Sequence, residues 1–240
     1  MKNLHPGPPH AIAALHSERP EHECFAEMCV VVADCGSVTS GTVAVVPWDA
    51  TFEYDFDVAE VTTVLDLPDD RFHEVVGGRS DAGRPIQAGY RRKALGVILV
   101  EYLPALGGDA HAIGVTISAQ TSGDATRGLE SSAPRWLRKV LSRAAGRLRA
   151  PYGGIDVEQP PASPRELSGG LHWLPYETYI SQEVVDADED LREALAADFQ
   201  TARKWPTGMF YAGTGDRSRS SRALGRHLHE APSPRTRRPA

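Results

Sequence analysis

The sequence predicts an α+β protein, a largely antiparallel sheet with two main helices packed on one face. Three observations predict it. The first 120 residues hold short apolar or alternating runs, without the regular strand–helix alternation that a doubly wound parallel sheet needs. Residues 132–150 carry apolar side chains at 136, 137, 140, 141, 144, 145 and 148, which form one face of a helix. Residues 188–204 place Leu191, Leu195, Phe199 and Ala202 along one side of a second helix.

The elements follow in order. "EMCVVVAD" (27–34) is a Val-rich apolar run and reads as a strand, as does "GTVAVVP" (41–47). "TFEYDFDV" (51–58) alternates, with Phe52, Tyr54, Phe56 and Val58 on one side and acids or Thr on the other. "EVTTVLDL" (60–67) fits strand or helix. "RKALGVILVEYL" (92–103) is β-branched at Val97, Ile98 and Val100, and "HAIGVTIS" (111–118) follows a Gly-rich turn. Ser132 is placed to cap the first main helix, with Pro134 in its first turn. Gly153 and Gly154 come after that helix and read as the turn into a short strand, "GIDVE". A phosphate loop needs the opposite order, strand before helix. "SPRELSGG" (163–170) has the form of a capping box, with Ser163, Pro164 and Glu166. "YETYIS" (176–181) and "GMFYAG" (208–213) read as further strands.

Domain boundaries follow composition. Residues 1–23 hold four His and several Pro without apolar period, and are expected to be disordered. Residues 24–214 are expected to form a single α+β domain, and 215–240 a disordered basic tail. The chain has 240 residues and a net charge of −6. Residues 216–240 carry net +5, which leaves −11 on the rest. An acidic body argues against nucleic acid as a partner. The 22 Arg against 4 Lys, with one Asn, resemble the coding bias of a GC-rich bacterial genome. No apolar run approaches the length of about 18 residues that a membrane helix needs, and "AIAAL" makes a poor secretory core. A cytoplasmic protein is expected.

Motifs of chemistry are sparse. The sequence has no Walker loop, no Gly-x-Ser-x-Gly elbow, no His-Glu-x-x-His pair and no dinucleotide fingerprint, so no cofactor is expected. His22, Cys24, Cys29 and Cys35 lack the Cys-x2-Cys spacing of a zinc knuckle, and no metal site is expected. Asp156, Glu158 and Glu177 would cluster if their strands were neighbours and shared a face, and a cluster raises one carboxyl for acid–base work. His111 beside Asp109 or Asp124 is a second catalytic candidate.

Interaction features are plainer. The helix at 132–150 is basic on its outer side, at Arg135, Arg138, Lys139, Arg143, Arg147 and Arg149. The segment 183–198 is acidic, and Asp186, Asp188, Glu189, Asp190 and Glu193 are the expected contacts for a basic partner, with Trp173 and Trp205 nearby in sequence. The layout resembles, at the level of fold alone, small bacterial α+β proteins that bind and neutralise toxins. The function expected from the sequence is non-enzymatic protein binding of immunity-like or accessory type. A small hydrolase or transferase using Asp156, Glu158 and Glu177 is the alternative, and homo-oligomerisation is compatible with either.

Overall fold

The computed structural model describes residues 6–47, 62–103, 112–119, 132–170 and 172–230. Among these residues ten strands form one antiparallel sheet in the order β3-β2-β4-β5-β6-β1-β7-β8-β10-β9. They are β1 (His10–His16), β2 (Val38–Val46), β3 (Thr63–Asp66), β4 (Arg84–Arg92), β5 (Gly96–Leu103), β6 (Ala112–Ser118), β7 (Tyr152–Val157), β8 (Glu177–Ser181), β9 (Thr201–Trp205) and β10 (Gly208–Ala212). The helices are α1 (Glu21–Asp34), α2 (Asp69–Val76), α3 (Ser132–Leu148), α4 (Pro164–Ser168), α5 (Gln182–Ala187), α6 (Glu189–Asp198) and α7 (Ser218–Glu230). The α+β class and the antiparallel sheet are as the sequence predicts.

The helices do not share one face. Tyr179 and Ile180 are successive residues of β8, so their side chains point to opposite sides of the sheet. Tyr179 belongs to a core with Phe25, Met28, Leu137 and Val140 of α1 and α3. Ile180 belongs to another, with Leu167, Val184, Leu191, Leu195 and Leu224 of α4 to α7. Phe210 and Tyr211 of β10 divide in the same way. The sheet is therefore covered by α1 and α3 on one side and, at its β7–β8–β10 end, by α4 to α7 on the other.

Further expectations are corrected. Residues 10–16, placed by composition in a disordered segment, form β1, which pairs with β6 on one side and β7 on the other. Ala13 and Leu15 face one core while Ile12 and Ala14 are buried on the opposite face. A strand buried on both faces shows no alternation, which is why "AIAALH" carried no strand signal. "EMCVVVAD" is the second half of α1. Cys24, Met28 and Val32, with Phe25 and Cys29, form its buried stripe, and helical spacing prevails over the β preference of three valines. In the expected basic tail, α7 buries Ala223 and Leu224 against α4. The second main helix stops at Asp198, and "TARKW" is β9, paired with β10. The strand read at 51–58 lies outside the described residues.

The Gly153–Gly154 pair sits inside β7 rather than in a turn. A Cβ on Gly153 would strike the carbonyl oxygen of Ala14 and the Leu15 side chain, and one on Gly154 would lie 2.6 Å from the carbonyl oxygen of Glu177. The left-handed residue that leaves α3 is Arg149, at φ 49°. The capping box of α4 is present as expected, with Glu166 N–H donating to Ser163 Oγ at 3.3 Å and Ser163 N–H to Glu166 Oε2 at 2.7 Å.

Candidate functional site

The three carboxylates that the sequence offers for catalysis do not meet. The β7–β8 register pairs Ile155 with Glu177, so Glu177 shares the face of Ile155, and Asp156 points to the other side. Glu177 is 2% exposed and fully engaged by Arg138 of α3. Arg138 Nε donates to Glu177 Oε2 at 2.9 Å, and Nη2 makes a second, shorter contact to Oε1. This fork holds the Arg138 guanidinium more firmly protonated than usual. Burial pushes the Asp156 carboxyl up, against the opposing influence of the Val157 N–H at 2.8 Å and the charge of Arg217. Glu158 lies just past β7 at φ 63° and accepts from the His10 backbone N–H at 2.7 Å, with the His10 ring at 3.1 Å. Those bonds lower its pKa, and Glu158 serves as a latch on the start of β1. His111 lies outside the described residues.

The acidic candidates lie on α5 and α6. Val184, Val185, Leu191, Ala194 and Leu195 turn the apolar sides of these helices into the core, leaving Glu183, Asp186, Glu189, Asp190 and Glu193 exposed. Asp188 has a structural task. Its Oδ1 caps α6 by accepting from Leu191 N–H at 2.9 Å, and Oδ2 lies 3.3 Å from the His227 ring of α7. Arg192 meets Glu189 at 2.8 Å and Arg219 approaches Glu193 at 3.8 Å. Both contacts are between exposed side chains and contribute little. Trp173 is 57% exposed beside Leu174, whose N–H donates to Ser221 Oγ of α7 at 2.8 Å. Trp205 does not join this surface. It packs against the core on the opposite face of the sheet, stacked on Phe210 with ring centroids 4.3 Å apart.

There it borders a groove that sequence reasoning missed. β10 and β9 extend the sheet beyond α3, which lies over β1 and β7. The step between helix and hairpin encloses about 550 Å³, lined by Arg135, Arg138, Lys139 and Ser142 of α3 and by Thr201, Arg203, Trp205, Phe210 and Ala212. Cross-strand pairs build the floor, with Thr201 opposite Ala212, Arg203 opposite Phe210 and Trp205 opposite Gly208. A Cβ on Gly208 would come within 2.9 Å of the Tyr179 ring, so glycine leaves room for Trp205 to lie over Tyr179 at 5.9 Å. The alternation of Thr201, Arg203 and Trp205 was the available signal, obscured because only one of the three is apolar.

No protein-family model, curated protein or solved structure matches the chain.

The three cysteines are free and buried, two on α1 and one at its C-cap. Among the described residues no three His, Cys, Asp or Glu side chains gather as a metal site would require. Burial pushes the Cys29 thiol up to about 12, so its thiolate is negligible at neutral pH. A thiol-alkylating reagent is expected to leave Cys29 unlabelled in the native protein and to label it once urea unfolds the chain. Mass spectrometry of the α1 peptide reads this directly, and native-state labelling at the rate of a free thiol would contradict the packing of α1.

Proposed function

We propose that this chain is a non-enzymatic binding protein of bacterial accessory or immunity-like type, which captures a basic protein partner on the outer surface of α5 and α6. The observation that carries the reading is the exposure of Glu183, Asp186, Glu189, Asp190 and Glu193 on two consecutive helices whose other sides are spent in the core. Residues 183–193 carry net −5, and a dense field of one sign accelerates encounter with a basic surface. The catalytic alternative loses support, because its carboxylates are divided between the two faces and Glu177 and Glu158 are already engaged by Arg138 and His10. A cytoplasmic location belongs to the same proposal. Three free thiols are in keeping with a reducing compartment. Among the described residues no helix is long and apolar enough to cross a membrane.

The test compares the immobilised protein with a variant carrying Glu183→Lys, Asp186→Lys, Glu189→Lys and Asp190→Lys. Asp188 is kept because it caps α6. The replaced side chains are exposed, so the fold is expected to be kept, with a loss of about 1–2 kcal/mol from the first turn of α6, where Glu189 and Asp190 complement the helix dipole. A basic protein from the source cells is expected to be retained by the native surface and released by salt, and to be lost from the variant. Equal retention on both would overturn the reading.

A further inference from the structure

We infer that the groove between α3 and the β9–β10 hairpin is a binding site for the phosphate group of a small phosphate monoester with a planar apolar body. The inference is independent of the α5–α6 surface, because the groove lies on the other face of the sheet.

The charges of α3 carry it. Arg147 is paired with Glu27 and Asp34 of α1, at 3.3 and 3.1 Å. Arg143 donates to the Asp34 carbonyl oxygen at 3.3 Å. Arg138 is held by Glu177. Arg135 and Lys139 have no ion pair among the described residues, and neither has Arg203 across the groove. All three are exposed and line the same concavity. Like charges placed so close repel one another, and an anion between them relieves the repulsion.

The helix adds to the imbalance. Arg135 stands near the N-terminus of α3, the positive end of its dipole, and the first turn has no acidic residue to offset it. By contrast α1, α2 and α6 each carry two acids in the first turn. The groove side of α3 thus concentrates side-chain charge of one sign on one space.

Two features set the ligand class. Arginine forks match the oxygens of a phosphate, and two of these three cations, Arg135 and Arg203, are arginines. Trp205 and Phe210 supply an apolar aromatic wall beside them, and the volume of about 550 Å³ falls in the range of small-molecule sites. Glu177 is buried below and spent on Arg138, so that pair holds the helix against the sheet without cancelling the three cations above.

The test titrates the full chain with phenyl phosphate, inorganic phosphate and phenol, following the indole N–H signals by two-dimensional NMR. The Trp205 signal is assigned by its loss in Trp205→Phe. Phenyl phosphate is expected to shift it saturably, and to bind at least about tenfold more tightly than phenol, since a charge-assisted contact is worth roughly that factor. An Arg135→Ala, Lys139→Ala, Arg203→Ala variant is expected to keep its thermal transition and to lose more than about tenfold in affinity. Inorganic phosphate is expected to bind through the same cations but more weakly than phenyl phosphate. Absence of a saturable shift, phenol binding as tightly as phenyl phosphate, or undiminished binding by the folded triple variant would each overturn the assignment.

Discussion

A chain lacking residues 1–16 is expected not to fold. The deletion removes β1, which stands between β6 and β7 and is registered against both along nearly its whole length. Without it the sheet divides into β3-β2-β4-β5-β6 and β7-β8-β10-β9. Two ladders of buried backbone groups then lose their partners, and each unsatisfied group costs about 1–3 kcal/mol. Ala13 and Leu15 are withdrawn from the core beneath α1 and α3, and Ile12 and Ala14 from the opposite face. The total exceeds the about 5–15 kcal/mol by which a domain is stable. Urea titration followed by circular dichroism should show no cooperative transition. A native-like transition in the truncated chain would mean that β1 is not the central strand.

Replacement of Glu177 by Ala is expected to destabilise the protein by about 3 kcal/mol, because breaking a buried pair leaves the other charge uncompensated. Glu177 is 2% exposed, whereas Arg138 keeps some contact with water through the groove, which places the cost at the low end for such pairs. Replacing both partners, with Arg138→Met and Glu177→Met, removes the uncompensated charge and should recover most of the loss. Denaturant midpoints of the two single variants and the double variant measure the coupling. A loss below about 0.5 kcal/mol for Glu177→Ala would place Glu177 among exposed carboxylates instead.

The legible parts of the fold are those with a helical period or a strong local signature. α3 has one apolar face, α4 has its capping box, and β5, β6, β8 and β10 are rich in β-branched or aromatic residues. β1 is hidden because it is buried on both faces and three of its seven residues are Ala, which has little strand preference. α1 was mistaken because Val30, Val31 and Val32 favour a strand locally, while Cys24, Phe25, Met28 and Cys29 set a helical stripe over a longer stretch. α7 was obscured by arginines that lie on the outside of a helix anchored by Ala223 and Leu224. β9 shows only Trp205 to the core.

The sites depended on a deeper level. Whether Asp156 and Glu177 meet is decided by register, and a shift of one residue exchanges the faces. In that register Gly153 and Gly154 face neighbours that leave no room for a Cβ. The exposed acids of α5 and α6 were legible because charge density needs no tertiary information. The groove was not, since Arg135 and Arg203 are separated by 68 positions and meet only through the step between α3 and the β9–β10 hairpin.

The most direct test of electrostatic capture is the rate at which the retained partner associates, measured by stopped flow at about 20 mM and about 300 mM salt, a range over which screening shortens from about 20 Å to about 6 Å. For the native protein the rate is expected to fall at least about tenfold across that range, with little change in dissociation. The Glu183→Lys, Asp186→Lys, Glu189→Lys, Asp190→Lys variant is expected to associate slowly at both salts. Association that is indifferent to salt and to the reversal would contradict capture by α5 and α6.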